Sequence, residues 1–512
     1  MSIARSELAT AKIARELAFA LLVVGYGCFG LSLDNAPLQD VPNHLARAHI
    51  IADLLFNHGA VYGRDFQVEL SFSPYLSGDL ILALMDRWMG TVWAARLWIA
   101  TSIVLLPFAV RFALDAHRLP SGTVLTGSTL SLYVATGWCF TMGFLNYELA
   151  MACAFFAYGW FLRTRESNDL RSWSGYVLWL LLGYAMHLSA VVFIGTFVGT
   201  SVLLPVVRRE MSPWRAAVLL APPCLLLLLN MGFADHSAHG DWPTTWGTLR
   251  SKLVYLFSPV VRFSPALDIA IFVAWLCVAL FPVFRRPLRD TLPAVQPLLC
   301  VAAFLGLYFA LPSVTGNVFW VDVRALPYAL LFLVFAGLLI ARHSPGLDGV
   351  QFAAACLVVT ANLAYVAMKL EPENHALGQY RKIAATVPAG ATVLPVYTRP
   401  PIGRCRPFQS AGSFVTLDAA AMTPYLFAAD MNPPMAYFRY VDRGYVPNSF
   451  WYEYDEFPHG ISTPPEQPDW GKVRHGFQYL LVTLPWNAAR IPRDFIEVTR
   501  NDVAVLLRTS RP

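Results

Sequence analysis

Long apolar runs separated by short polar segments dominate the chain up to residue 367. Eleven of these runs approach or reach the ~17–25 residues that a helix needs to cross a bilayer. They lie near residues 17–33, 93–113, 122–140, 144–162, 174–187, 188–207, 214–231, 266–284, 295–311, 325–341 and 350–367. Only 14% of the residues are charged and 56% are hydrophobic, whereas about a quarter of a soluble domain is charged. The pattern predicts a polytopic membrane protein.

Arginine-rich loops predict the orientation of the spans. Such loops are typical of the cytoplasmic side, and they occur at 163–171, 208–215 and 285–290. If the N-terminus is also cytoplasmic, an even number of spans must lie between residues 16 and 163. The charged run 73–90 is therefore predicted to be an interfacial or re-entrant helix, and residues 34–92 form one large outer loop. The C-terminus is then extracytoplasmic.

The residues after 367 are richer in proline and charge and contain no run that could span a membrane. The segments ATVLPVY, QYLLVT and VAVLLR are typical of short buried strands, and HALGQYRKIAATV is typical of a helix. The predicted fold is mainly α. It is a helical bundle of about 11 transmembrane helices over residues 1–367, followed by an extracytoplasmic α/β domain over residues 368–512.

Polar residues that could do chemistry collect in the predicted outer segments. In LQDVPNHLARAH, a helix that begins near Pro42 places Asp40, His44 and Arg47 on one face, at spacings i, i+4 and i+7. Asp40 could be a helix N-cap, or a base next to an anion-binding group. The two roles are compatible, because the same helix start positions the side chain for both.

Three further outer positions carry ionisable side chains. Glu148 lies in the turn GFLNYELAMA, His187 in MHLSA, and Arg324 in NVFWVDVRALPY. Each has a structural alternative. Glu148 could be internally paired, His187 could be a turn residue, and Arg324 could pair with Asp322. A charge buried in hydrocarbon is costly, so each position is also a functional candidate.

Several classes of function are not supported. The chain contains no phosphate-binding loop, dinucleotide fingerprint, nucleophile elbow or HExxH motif. The net charge of +5 comes from residues in short loops and does not indicate nucleic-acid binding. A loop contains the polar residues Asp235, His236, His239 and Asp241, which we interpret as solvated, because no helix orients them as metal ligands.

The arrangement resembles the C-type (GT-C) integral-membrane glycosyltransferases. In that family a first span precedes a large outer loop, and the loop begins with an acidic residue, here Asp40 in DVPNHLAR. Interfacial helices follow, here predicted at 41–58 and 73–90, and FSPYLSGDLILALMDRWMGTVWAARLW is similar to the segment that leads into the second span. A later outer turn often carries another acid, here Glu148. Many members end in an external soluble domain.

The resemblance implies a sugar donor linked to polyprenyl phosphate and an acceptor that is a glycan, a lipid or a protein. It implies a catalytic role for Asp40 as general base and for Glu148 as a second acid. Arg324, with Arg47 or His44, would hold the donor phosphate, and His187 is assigned to the same group. Metal-independent chemistry is favoured, although Asp40 and Glu148 could instead hold Mg or Mn. The expected location is the bacterial inner membrane.

Three other functions are open on the sequence alone. An outer-leaflet polysaccharide polymerase or ligase would share the lipid-linked donor but would not need an acidic base. A transporter would carry ionisable residues deep in several spans, and these spans are nearly free of them. A non-catalytic scaffold would present the C-terminal domain to partners and would tolerate replacement of Asp40, Glu148 and Arg324.

Overall fold

The computed structural model describes residues 2–68, 74, 76–233, 244–285, 294–315, 318–341, 348–426, 469–485, 491 and 495–509. Most of these residues are helical. The helices are α1 (Ser2–Ser32), α2 (Val41–Phe56), α3 (Leu76–Met89), α4 (Thr91–Ala116), α5 (Ser121–Ala135), α6 (Trp138–Thr141), α7 (Leu145–Ser167), α8 (Leu170–Met186), α9 (Ser189–Val207), α10 (Pro213–Phe233), α11 (Leu249–Tyr255), α12 (Pro265–Leu280), α13 (Val295–Ala310), α14 (Leu326–Ala341), α15 (Asp348–Ala384), α16 (Phe414–Ala419) and α17 (Trp470–Gly476).

Each of the eleven predicted apolar runs lies on a helix, and together these helices make an integral membrane protein. Within the described ranges, seven helices are long and apolar enough to cross a bilayer. They are Thr10–Ser32, Thr91–Ala116, Ser189–Val207, Pro213–Gly232, Pro265–Val283, Val323–Ile340 and Asp348–Ala384. The runs on α5, α8 and α13 form helices of 15, 17 and 16 residues, and the run at 144–162 lies on α7, which has 23 residues.

The helix α14 lies at the centre of the bundle. The segment Val323–Ile340 is 89% buried, whereas Pro265–Val283 is 22% buried and Pro213–Gly232 is 28% buried. Aromatic rings pack around α14, and Tyr328 stacks on Phe155 and Phe304 with ring centroids 5.8 and 5.2 Å apart. The outer helices expose leucines instead, as expected where the surroundings are lipid. The residues at the start of α14 are therefore held by protein on all sides.

Helices α2 and α3 pack against each other and lie between α1 and α4 in the chain. Apolar side chains Ile81, Leu84 and Trp88 are exposed on one face of α3, at the spacing of successive helical turns. The opposite face carries Asp79, which is buried against α2. This amphipathic pattern is what an interfacial helix requires. The membrane orientation predicted from the loop charges stays a prediction.

The C-terminal residues form a small second core on an extension of the last long helix. Helix α15 continues for 37 residues, through the predicted domain boundary at residue 367. Its end packs on a four-stranded sheet in the order β3-β4-β6-β5. The strands are β3 (Val393–Val396), β4 (Tyr479–Thr483), β5 (Ile496–Arg500) and β6 (Ala504–Arg508), after a short pair formed by β1 (Val314–Thr315) and β2 (Val318–Phe319).

Three of these strands are the predicted ones, and their pairing explains the sequence pattern. Strand β3 runs parallel to β4, and β6 runs antiparallel to both β4 and β5. The predicted strands are almost wholly buried, which gives continuous apolar runs. Strand β5 was missed because it is an exposed edge strand with polar residues at Glu497, Thr499 and Arg500.

A buried polar network ties the loop before α12 to α5 and α15. The Arg262 side chain is 0% exposed and bonds to Asp268 Oδ1 at 3.2 Å, to the Thr136 carbonyl at 2.8 Å and to Asn362 Oδ1 at 2.8 Å. Asp268 also accepts three backbone N–H bonds, from residues 262, 263 and 264. Every charge in the network is paired, so it holds three segments of the bundle in one arrangement.

We expect Asp268→Ala to destabilise the protein by ~3–5 kcal/mol, because it leaves the Arg262 charge buried without its partner. Thermal unfolding of the detergent-purified protein measures the effect. Glu166→Gln is the matched control, since the Arg118–Glu166 pair is exposed and such pairs contribute only ~0–1 kcal/mol. Equal melting temperatures for the two variants would contradict the structural role of the network.

Candidate functional site

The two segments that carry the predicted acids, Asp40 and Glu148, meet through their backbones. The Gln39 N–H donates to the Thr141 carbonyl at 3.2 Å, and the Asp40 N–H donates to the Met142 carbonyl at 3.1 Å. Gly143 follows with a φ of +78°, and a Cβ there would lie 2.9 Å from the Asp40 nitrogen. Glycine suits this position because of both its positive φ and this close approach. The start of α2 is thereby fixed against the turn before α7.

Asp40 occupies the residue before α2, but its carboxyl makes no capping hydrogen bond to the helix. The side chain is half-buried. Burial raises the pKa of Asp40 to about 7, while the nearby Arg324 charge and a hydrogen bond with Gln39 act in the opposite direction. The Asp40 side chain therefore does not cap the helix, which was one of the two roles considered from the sequence. A carboxyl that titrates near neutrality can exchange a proton at physiological pH.

Arg324 lies in a short 3₁₀ turn, Val323–Ala325, immediately before α14, and is 8% exposed. Its guanidinium donates to His187 Nε2 at 2.9 Å and lies 4.6 Å from the centre of the Phe144 ring. Its backbone carbonyl accepts a hydrogen bond from Tyr147 Oη at 2.7 Å. Phe144, just before α7, and His187, between α8 and α9, thus hold the side chain, while Tyr147 holds the backbone.

The alternative pair between Asp322 and Arg324 is wrong. Asp322 accepts a bond from Ser313 Oγ at 2.6 Å and pairs with Lys252 Nζ at 3.1 Å, and both ionic side chains are buried. Lys252 also donates to two backbone carbonyls, of Tyr308 and Leu311. Lys252 is therefore the ionic partner of the Asp322 carboxylate, and the side chain of Arg324 forms no ion pair within the described ranges.

His44 is held as a neutral donor. Arg47 Nη2 lies 3.1 Å from His44 Nδ1 and 2.8 Å from Asp79 Oδ1. Burial, Arg47 and Arg324 together place the pKa of His44 well below its ordinary value. A guanidinium can only donate, so Nδ1 of the neutral ring accepts and Nε2 carries the proton.

His187 contacts Arg324 and Ser189 through its two ring nitrogens. Arg324 Nη1 lies 2.9 Å from Nε2, and the backbone nitrogen and Oγ of Ser189 lie 3.1 and 2.8 Å from Nδ1. Burial, the charge of Arg324 and the proximity of His44 place the pKa of His187 well below its ordinary value. The two predicted histidines therefore lie close enough to act on each other, and the charge of Arg324 acts on both.

Glu148 is a buried acid in the first turn of α7. It is 1% exposed, and neither carboxyl oxygen has a hydrogen-bond partner among the residues that the structure describes. Glu148 interacts electrostatically with Cys139, Tyr147 and Tyr328, but it is not among the groups that act on Asp40. The Tyr328 hydroxyl also lacks a partner in the described part of the chain.

The residues do not fit the alternative of a metal held by Asp40 and Glu148. Within the described ranges, no group of three or more His, Cys, Asp or Glu side chains could hold a metal ion. The charged group that acts on Asp40 is the cationic Arg324, which favours an anionic ligand and disfavours a divalent cation. The polar loop residues Asp235, His236, His239 and Asp241 lie outside the described residues.

Two contributors to the site were missed from the sequence. Asp79 orients Arg47. The sequence feature that could have identified Asp79 is its seven-residue spacing from Asp86, which puts both acids on one face of α3. Asp86 indeed lies 2.7 Å from His49 Nδ1 on α2. Phe144, under the Arg324 guanidinium, carried no signal, because its role depends on how α7 packs against α14.

The predicted residues Asp40, His44, Arg47, His187 and Arg324 thus form one cluster. It combines a carboxyl that titrates near neutrality, two neutral histidines and a guanidinium without a carboxylate partner. Chemically, the arrangement can bind an anion at Arg324 and accept a proton at Asp40.

Comparison with known proteins identifies the fold. No protein-family model matches the chain, and no curated protein matches it in sequence. The chain is similar in structure to ArnT from Cupriavidus metallidurans bound to undecaprenyl phosphate, with a TM-score of 0.51 and 13% sequence identity, over 96% of this chain and 97% of that chain. The apo structure of ArnT matches with the same score and identity, over 98% of both chains. ArnT is a GT-C glycosyltransferase, so the chain has the GT-C-like fold that the sequence resemblance implies.

Proposed function

We propose that the protein is a membrane glycosyltransferase that transfers a sugar from a polyprenyl-phosphate donor to an acceptor hydroxyl. The observation that carries the proposal is that Asp40, whose pKa is about 7, lies within electrostatic reach of a buried guanidinium, Arg324, that no carboxylate of the described residues neutralises. The fold adds support, because ArnT, which shares it, binds undecaprenyl phosphate. The transferred sugar is a hexose or a pentose, and the acceptor is a glycan, a lipid or a protein.

Arg324 would bind the donor phosphate. It is buried, has no carboxylate partner among the described residues, and is held in place by His187 and Phe144. As the bond between the anomeric carbon and the phosphate oxygen breaks, negative charge grows on the phosphate, and a fixed guanidinium stabilises it. The Nε2–H of His44 would donate a second bond to the same group. Arg47 would act through His44, since it contacts that ring and Asp79.

Asp40 would act as the general base. Its carboxylate takes the proton of the acceptor hydroxyl while the hydroxyl oxygen forms a bond to the anomeric carbon. The carbon–oxygen bond to the phosphate breaks on the opposite side, polyprenyl phosphate leaves, and the anomeric configuration inverts. A base with a pKa near the working pH is present as carboxylate in a large fraction of molecules and still holds a proton well.

Glu148 would be the second acidic residue of the site. Its two oxygens have no partner within the described ranges, and its carboxyl acts electrostatically on Tyr328, whose hydroxyl also lacks a partner there. Buried polar groups are normally hydrogen-bonded, and a donor from a ligand would complete this carboxyl. Hydroxyl groups of the bound sugar are such donors. We further propose that the reaction takes place on the extracytoplasmic face of the bacterial inner membrane.

Replacement of the base gives the first functional prediction. We expect Asp40→Asn to lower sugar transfer by about 10²–10⁴-fold, because amide nitrogen and oxygen cannot accept the proton. The assay follows release of polyprenyl phosphate by purified protein from a panel of polyprenyl-phosphate sugars, with cell-envelope lipids and glycans as acceptors.

Asp53→Asn is the matched control for this experiment. Asp53 is a buried acid on the same helix, and it only accepts the backbone N–H groups of residues 61 and 62, so its replacement should leave transfer unchanged. Full activity of Asp40→Asn would exclude the base and would favour a polymerase or ligase that needs none. Equal loss in both variants would indicate damage to α2 rather than to the chemistry.

The pH dependence gives the second functional prediction. Because Asp40 acts as carboxylate, the profile of kcat/KM against pH should have a rising limb centred near pH 7. The charge of Arg324 lowers the pKa of Asp40, so Arg324→Ala should move the limb of the residual activity to higher pH. In Arg47→Ala the limb should stay near pH 7, since Arg47 acts on His44 and not on Asp40. A limb that moves to lower pH in Arg324→Ala would contradict the assignment.

A further inference from the structure

The C-terminal domain contacts the helix that carries the proposed base. The Asn43 side chain donates from Nδ2 to Ser410 Oγ at 3.1 Å and accepts at Oδ1 from Ser413 Oγ at 2.5 Å. All three side chains are buried, with exposed fractions of 4%, 5% and 2%. Asn43 lies beside His44 and three residues after Asp40. Both ends of its amide are therefore used to join the first turn of α2 to a segment more than 360 residues away.

A second contact reaches the backbone next to Asp40. The Cys405 thiol lies 3.7 Å from the Thr141 carbonyl, and the same carbonyl accepts the N–H of Gln39. Cys405 is fully buried. The C-terminal segment thus contacts both sides of the backbone pairing that fixes the start of α2.

A third contact lies far from Asp40 and serves as a comparison. Beyond α2, Tyr62 donates from Oη to the Thr416 carbonyl at 2.7 Å. Tyr62 and Phe66 pack with Ile50, Met422 and Leu426 in a small apolar cluster. This contact buries a hydrogen bond and hydrophobic surface in the same interface, but it does not touch the first turn of α2.

The first turn of α2 needs such support. Its Asp40 carboxyl makes no capping bond, and a helix start without a side-chain cap loses ~1 kcal/mol relative to a capped one. The same turn carries the base and is followed by His44 and Arg47. Displacement of a catalytic group by ~1 Å can cost about 10²-fold in rate. A rigid attachment at Asn43 would fix the carboxyl relative to Arg324, which is held separately by α7 and α14.

We propose that the segment Cys405–Ser413 of the C-terminal domain is part of the catalytic site and that Asn43 is a positioning residue for Asp40. This inference rests on the proposed glycosyltransferase function. It deepens that function, because the domain then sets the geometry of the base and does more than stabilise the fold.

The test compares Asn43→Ala with Tyr62→Phe in the full-length purified protein. Each variant removes hydrogen bonding from the same interface. We expect Asn43→Ala to lower kcat by at least tenfold while the KM for the donor changes less than threefold, because Arg324 is untouched. Tyr62→Phe should keep kcat within twofold of the wild type. Equal kcat values for folded Asn43→Ala and wild type would overturn the proposal, as would equal losses in both variants.

A double-mutant cycle adds a readout that a general loss of stability would not give. The double variant Ser410→Ala, Ser413→Ala should lower kcat by as much as Asn43→Ala does. The triple variant should have the same kcat as either, because all three variants break the same link between α2 and the C-terminal domain. Fully additive losses in kcat would contradict a shared positioning role. If Asn43→Ala does not fold, Ser413→Ala alone gives the same comparison with Tyr62→Phe.

Hydrogen exchange separates failure of this inference from failure of the proposed function, since it needs no substrate. Asn43→Ala should speed exchange of the amides of residues 43–47, and Tyr62→Phe should leave these amides as in the wild type. Unchanged exchange in Asn43→Ala would overturn the positioning role. If Asn43→Ala exchanges faster and the wild type transfers no sugar, the attachment stands and only the glycosyltransferase function is rejected.

Discussion

The candidate site depends on a buried guanidinium that no carboxylate of the described residues neutralises. Four cationic side chains are buried in that part of the chain, and three of them have an acidic partner: Arg47 with Asp79, Lys252 with Asp322, and Arg262 with Asp268. Arg324 has a neutral histidine instead. A buried charge is costly unless it is paired, so the position is suited to an anionic ligand that supplies the missing charge.

The surrounding residues keep this charge in place and keep it uncompensated. His187 accepts one N–H, and Phe144 lies against the guanidinium plane. Lys252 holds Asp322, the nearest acid in sequence, away from it. Asp40 is close enough for Arg324 to act on its pKa, yet burial still raises that pKa to about 7. The acid and the cation therefore remain separate functional groups and do not become a closed salt bridge.

The wider fold brings the parts of the site together from distant segments. Backbone bonds from residues 39 and 40 join α2 to the turn before α7, and the central helix α14 places Arg324 beside that turn. Helix α15 continues from the bundle into the C-terminal core, so the two cores share one rigid element. Contacts from Asn43 then return from α2 to that C-terminal domain. Each connection fixes a different side of the same small region.

The sequence by itself determined the local structure, because helix and strand periods are properties of short stretches of chain. The apolar runs predicted the helices of the bundle, and the shared face of Asp40, His44 and Arg47 followed from the helical repeat. The tertiary structure alone decided the partners. Asp322 could not be assigned to Lys252, nor Asn43 to Ser410 and Ser413, since these pairs lie 70 and more than 360 residues apart in the chain. Nor could the sequence decide whether Asp40 caps its helix or give its pKa, because the pKa depends on burial and on the charge of Arg324, which only the packing of the helices brings close.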